Sequence, residues 1–198
     1  TETPYGTFDE RVQEALEYAA TQEDNLYGVI AKFAIEAWDE VKEAVVLEAI
    51  ESINRRRDCS DFYLVGLLGA MYRHMDKPEF PETLKAPLKE CVLNFKYWHD
   101  EPGTDAMCYT TENHSILFHT CEILAGQLYP DEVFANNGET GQWHREKGER
   151  LAVDWLKTRA ATGFWEWDSN CYFEEDLLAL SHLVGLAESE EVSELAAV

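Results

Sequence analysis

Glu112-Asn113-His114 puts a carboxylate, an amide and an imidazole on consecutive residues, and Trp165-Glu166-Trp167-Asp168-Ser169-Asn170-Cys171-Tyr172 gathers two indoles, two carboxylates and a phenol in one short segment. An amide can donate a hydrogen bond to an anionic group, and an imidazole exchanges protons near neutral pH. Flat indole faces suit sugar rings, while a tyrosine works as an acid or base only where neighbours bring its proton affinity down. This collection has the look of a carbohydrate site. Plainer readings stand beside it. Asn113 can help cap a helix while His114 packs on its buried side, the tryptophans can anchor a core, and Tyr172 can be a packing residue.

These residues need helices to place them. Val12, Ala15, Leu16 and Ala19 form one apolar stripe at helical spacing, and Val41, Ala44, Val45, Ala49 and Ile50 form another. Helical patterns continue over 61–74, 82–98, 112–129, 141–161 and 173–188, broken at Pro78-Glu79-Phe80-Pro81, Glu101-Pro102-Gly103 and Asn136-Asn137-Gly138. Thr110 or Thr111 is the expected N-cap of the helix that carries Asn113 and His114, with Leu117, Cys121, Leu124 and Leu128 on its buried side. The positive end of that helix dipole would then favour an anionic substrate group. Gly163 breaks the next helix into the aromatic loop, where Glu166 and Asp168, two positions apart, would point the same way in an extended chain. Glu174-Glu175-Asp176 suit a helix N-terminus, with Leu177, Leu178 and Leu180 supplying the buried side. Arg55-Arg56-Arg57 is expected to cap the helix carrying the second stripe.

No strand is expected. Helices joined by short polar connections bury their stripes as antiparallel hairpins, so the fold class is all-α. Hairpins with one long loop favour an incomplete α/α toroid, because a full ring of six hairpins needs roughly twice this length. Residues 1–198 are expected to be a single α-helical domain and a fragment of a larger toroid protein, with 190–198 reading as a helix without a stop signal.

The 198 residues, 45% of them hydrophobic, suffice for one sizeable core. The 39 acidic against 16 basic residues give a net charge of -23, which opposes binding to nucleic acid or to an anionic membrane surface. No apolar run approaches membrane length, and no secretory leader opens the chain at Thr1. Cys59, Cys91, Cys108, Cys121 and Cys171 have no CxxC spacing and an odd count, so most are expected to be buried thiols. His74, His99, His119, His144 and His182 lack metal-ligand spacing and read as surface or structural positions; no metal and no cofactor are expected.

Glu112-Asn113-His114, then Leu124-Ala125-Gly126-Gln127-Leu128-Tyr129-Pro130-Asp131, then Gly163-Phe164 with the loop through Tyr172, resemble in order and spacing the α/α-toroid domain of heparinase II/III-like and alginate-lyase-like polysaccharide lyases. The likeness spans about residues 98–187. It departs from the family at Phe173, where a histidine often follows the tyrosine, and in lacking the accompanying β-sandwich domain. The resemblance implies a polysaccharide lyase that cleaves uronic-acid glycans by β-elimination, secreted or periplasmic, with a further C-terminal domain. It implies that Asn113 neutralises the uronate carboxylate while His114 and Tyr172 serve as base and acid. Glu112, Trp165, Glu166, Trp167, Asp168 and Arg145 would bind the oligo- or polysaccharide.

A surface at -23 would slow a polyuronate unless Arg145, Lys147, Arg150 or Arg159 built a local attractive field. Neutral sugars meet no such barrier. The alternative is therefore a toroid glycoside hydrolase using two of Glu112, Glu166 and Asp168 as general acid and base. A non-catalytic helical scaffold or carbohydrate-binding domain is the third reading.

Overall fold

Side-chain caps start several helices. Thr7 and Glu10 form a reciprocal capping box, and Asn25, Thr140 and Ser189 accept hydrogen bonds from the backbone amides of Tyr27, Trp143 and Val192. The computed structural model describes residues 5–198 and contains α1 (Phe8–Ala20), α2 (Leu26–Ala34), α3 (Glu43–Asn54), α4 (Ser60–His74), α5 (Glu82–Asn94), α6 (Glu112–Leu128), α7 (Gly141–Thr162), α8 (Phe173–Leu186) and α9 (Glu190–Ala197). A 3-10 turn at Trp38–Glu40 joins α2 to α3. The chain is all-helical, and among the described residues the only β-type pairing is an isolated bridge between Val133 and Thr140.

The helices form two rows. α2, α4, α6 and α8 each pack on the next, while α1, α3, α7 and α9 pack on their outer side and α5 lies on α3. α8 touches α4 as well as α6. α6 is central: 14 of its 17 residues are buried, the polar ones Asn113, His114, His119, Thr120, Glu122 and Gln127 among them. The core runs continuously from Leu26 and Phe33 through Leu68 and Leu124 to Ala196.

Several sequence expectations shift. Val46, Ala49, Ile50 and Ile53 form the buried side of α3, whereas Ala44 is exposed and Val41 precedes the helix. α2 separates the two expected stripes as a helix of its own. α5 ends at Asn94 because Phe95 turns extended and Tyr97 enters the core, where its hydroxyl donates to the Val92 carbonyl. Arg55 pairs with Glu51 on α3, but Arg56 leaves the helix at φ 49° and reaches Asn136, tying two loops together. Leu177 is exposed, and the buried place on that turn of α8 belongs to Asp176. Only Cys91 and Cys121 are buried thiols; Cys59 and Cys171 are exposed.

Close approach of α6 and α7 depends on Gly126. A Cβ there would run into the Gly141 carbonyl oxygen and the Arg145 backbone nitrogen, neither of which can swing aside. Gly126→Ala is expected to lower stability by about 1–3 kcal/mol, the usual cost of overpacking, as a lower urea midpoint at unchanged slope.

Candidate functional site

The inner helices α4, α6 and α8 begin at the same end of the molecule, so the first turns of all three meet. Asp61 in the first turn of α4 accepts from His114 in the first turn of α6, Oδ2 to Nδ1 at 2.7 Å. Asp176 in the first turn of α8 lies against Glu112 at the start of α6 and Glu166 in the aromatic loop, with carboxylate oxygens of all three within 4.8 Å of one another. The positive ends of three helix dipoles therefore converge where acidic side chains gather.

Two hydrogen-bond networks leave the start of α6. In the first, the Asn113 amide donates to Glu166 Oε1 at 2.8 Å, Glu112 Oε2 accepts the Glu166 backbone N–H at 2.8 Å, and Glu112 Oε1 pairs with Arg159 near the end of α7. The Arg159 guanidinium also lies over Trp155 and Trp165, at 5.6 and 5.7 Å from the ring centroids. This network clamps the aromatic loop to α6. The second is the His114–Asp61 pair. Burial works to lower the proton affinity of His114, but the hydrogen bond and charge of Asp61 outweigh it and the imidazole is raised. Burial likewise raises Asp61, against the pull of His114.

Asp176 is fully buried and neither of its oxygens has a hydrogen-bond partner among the described residues. Burial, then the charges of Glu166 and Glu112, push its carboxyl up to about 8, so in the absence of another cation it holds a proton at neutral pH.

The structure brings most of the sequence-derived candidates together. Glu112, Asn113, His114 and Glu166 share one end of the bundle, and Tyr172 sits at the N-cap of α8, 56% exposed. Trp165 and Trp167 are 84% and 65% exposed, so they face solvent rather than anchor a core, although Trp167 rests on Phe173 at 5.1 Å. Asp168 is exposed at φ 58°; the left-handed backbone turns the loop there, and the extended geometry expected for Glu166 and Asp168 does not form.

Other assignments change. Asn113 is buried with its amide nitrogen on Glu166, so its donors are committed to holding the loop rather than free for a substrate carboxylate. Arg145 lies beside Gly126, roughly 18 Å along α6 from His114 at 1.5 Å per residue, and pairs with Glu149 and Glu188. It belongs to the opposite end of the helix. The site arginine is Arg159.

Asp61 and Asp176 were not among the candidates. Each sits in the first turn of a helix, where an acidic residue is ordinary, and only the packing of α4 and α8 against α6 sets them apart. Asp58 and Cys59, just before α4, are a further addition, with donor atoms within 4.8 Å of the His114 ring.

A separate buried network joins α6 and α7. Lys147 reaches Asp100 at 2.9 Å, Glu101 at 3.4 Å and Glu122 at 3.5 Å, and His144 Nδ1 lies 2.8 Å from Glu122. His144 and Lys147 are structural here, and so is His119, which burial holds neutral by lowering it to about 3.

Comparison of the chain with protein-family models, with curated proteins and with solved structures returns no match. No helix is long and apolar enough to cross a membrane.

Proposed function

We propose that the chain is a carbohydrate-active domain, a segment of an α/α toroid, that cleaves uronic-acid glycans by β-elimination with His114 as the base. The succession of contacts α2–α4–α6–α8, with α8 also touching α4, supports the toroid reading. The His114–Asp61 pair carries the chemical reading: a buried carboxylate fixes the ring through Nδ1 and leaves Nε2 as the nitrogen that can take a proton.

In this reaction His114 removes the C5 proton, the C4–O bond breaks with its electron pair passing to oxygen, a C4–C5 double bond forms, and Tyr172 gives its hydroxyl proton to the departing oxygen. Trp165 and Trp167 offer exposed faces for sugar rings on either side of the bond. The substrate carboxylate, whose neutralisation acidifies the C5 proton, lies toward the converging helix N-termini. Asn113 positions the loop that carries these groups.

The paired-carboxylate hydrolase draws less support. Glu112 is clamped by Arg159 and the loop backbone and Glu166 is held by Asn113, which leaves Asp168 alone of the three exposed, so no two of them stand free to flank a glycosidic bond.

The test is incubation with a panel of polyuronates and neutral glycans, following absorbance of the unsaturated product and reducing ends in parallel. We expect absorbance growth that rises with pH as His114 loses its proton, and that falls by at least about 100-fold in His114→Ala and Tyr172→Phe. Reducing ends without absorbance would sink elimination in favour of hydrolysis. Neither signal, with blue-shifted tryptophan emission on adding glycan, would leave a binding domain.

A further inference from the structure

We infer that the start of α6 holds a divalent cation of the calcium type, bound through Asp176, Glu166 and Asn113. Four oxygens there are buried and without a hydrogen-bond partner among the described residues: both of Asp176, Oε2 of Glu166 and Oδ1 of Asn113. Asp176 has no exposed surface and Asn113 only 2%. A buried polar oxygen left unpaired is costly; a proton shared between Asp176 and Glu166 pairs only part of this group, and a cation would pair the rest.

Their placement is convergent. Glu112, Glu166 and Asp176 offer oxygens within 4.8 Å of one another. Asn113 is tied to the same group because its nitrogen donates to Glu166 Oε1 at 2.8 Å, and its buried oxygen is unpaired among the described residues. Glu112 has both oxygens occupied, by Arg159 and by the Glu166 backbone N–H, so it supports the site from behind. Three carboxylates facing one guanidinium leave an excess of two negative charges, which a divalent ion balances.

The donor chemistry selects the ion. All four are hard oxygen donors, one of them a neutral amide, with no nitrogen or sulfur among them. That set suits calcium, which accepts irregular oxygen shells and bidentate carboxylates, better than zinc or copper. The ligands come from the start of α6, the aromatic loop and the start of α8, so the bound ion would fasten that loop and α8 to α6. This assignment stands independently of the glycan chemistry. Should that chemistry be elimination, the ion would also offset the negative charge that a uronate meets.

The test is thermal unfolding of the full chain after dialysis against EDTA, with calcium, with magnesium and with neither. Calcium is expected to raise Tm by roughly 5–10 °C at one hundred times Kd, and magnesium by less. Asp176→Asn and Glu166→Gln, both close to isosteric, should each abolish most of that rise. Terbium luminescence excited through tryptophan should appear on titration into the EDTA-treated protein and be displaced by calcium. A Tm unmoved by either ion would overturn the assignment. So would an undiminished calcium response in Asp176→Asn, since the ion would then be held by exposed acids elsewhere on this highly charged surface.

Discussion

Replacing Lys147 with methionine is expected to destabilise the protein by roughly 3–5 kcal/mol, the usual cost of removing one partner from a buried ion group. The ammonium is the only lysine or arginine charge shared by Asp100, Glu101 and Glu122 among the described residues, and the Glu101 and Glu122 side chains are 3% and 0% exposed. Burial raises Glu122, with the His144 hydrogen bond and Lys147 opposing that rise. Burial works to lower Lys147, but the charges of Glu122 and Glu101 and the Asp100 bond outweigh it, so the lysine is raised. Without Lys147 the two buried glutamates are left with the His144 imidazole between them. The loss should appear as a lower urea midpoint. Glu122→Gln in the same background should recover part of it, because the charge left uncompensated is then removed. Additive losses in the double variant would contradict a shared network.

Asp176 produces the second large effect, with the sign expected of a carboxyl raised by burial. Its folded carboxyl, at about 8, lies above the ordinary value of 3.8, so the native state binds the proton more tightly than the unfolded chain. The stability this contributes is fully present below about pH 4 and is lost as pH rises through about 8. In EDTA, the protein should therefore lose roughly 3–5 kcal/mol from this residue between those limits. His119 acts the other way. Held neutral, with its titration lowered to about 3, it costs stability only as pH falls below the ordinary histidine value of 6.5. The two effects oppose one another in mild acid, and above about pH 6.5 the Asp176 loss is joined by that of His114, whose raised imidazole also loses its proton there. Asp176→Asn should flatten that decline and leave the variant more stable than the parent at about pH 8, as followed by urea unfolding across pH. A parallel decline in both proteins would show that the residue is not the source.

The helices that carry the site were legible because their signals are local. Gly163, the acidic turn before Leu177 and the apolar run after His114 give the boundaries of α6, α7 and α8 to within a few residues. The face each helix buries was less legible. α6 is buried almost all round and so presents no stripe, and the apolar spacing of α3 fits two registers until α5 and α4 pack on it. Asn113, His114 and Glu166 could be singled out by type, but their partners could not. Asp61 and Asp176 look like ordinary first-turn acids until neighbouring helices arrive, and the difference between Arg145 and Arg159 lies in which end of α7 faces the start of α6. Asn113 was read as a free donor because nothing in the sequence reports that Glu166 folds back onto it.

The bonds that build the site share a further property. His114 to Asp61 and Asn113 to Glu166 each span 53 residues, Glu166 to Glu112 spans 54 and Arg159 to Glu112 spans 47. Of these, only Arg159 to Glu112 lies within a single helical hairpin, α6–α7. During folding, hairpins of neighbouring helices can form early, because their contacts are local and cost little chain closure. The site has to wait until α4, α6 and α8 have docked side by side. Helical content and a competent site are thus separable in time, and a chain caught with its hairpins formed but undocked would be helical yet inert. Hydrogen exchange should find the amides at the start of α6 and in the aromatic loop opening only with the docking of the inner row, later in protection than those of the α6–α7 hairpin itself.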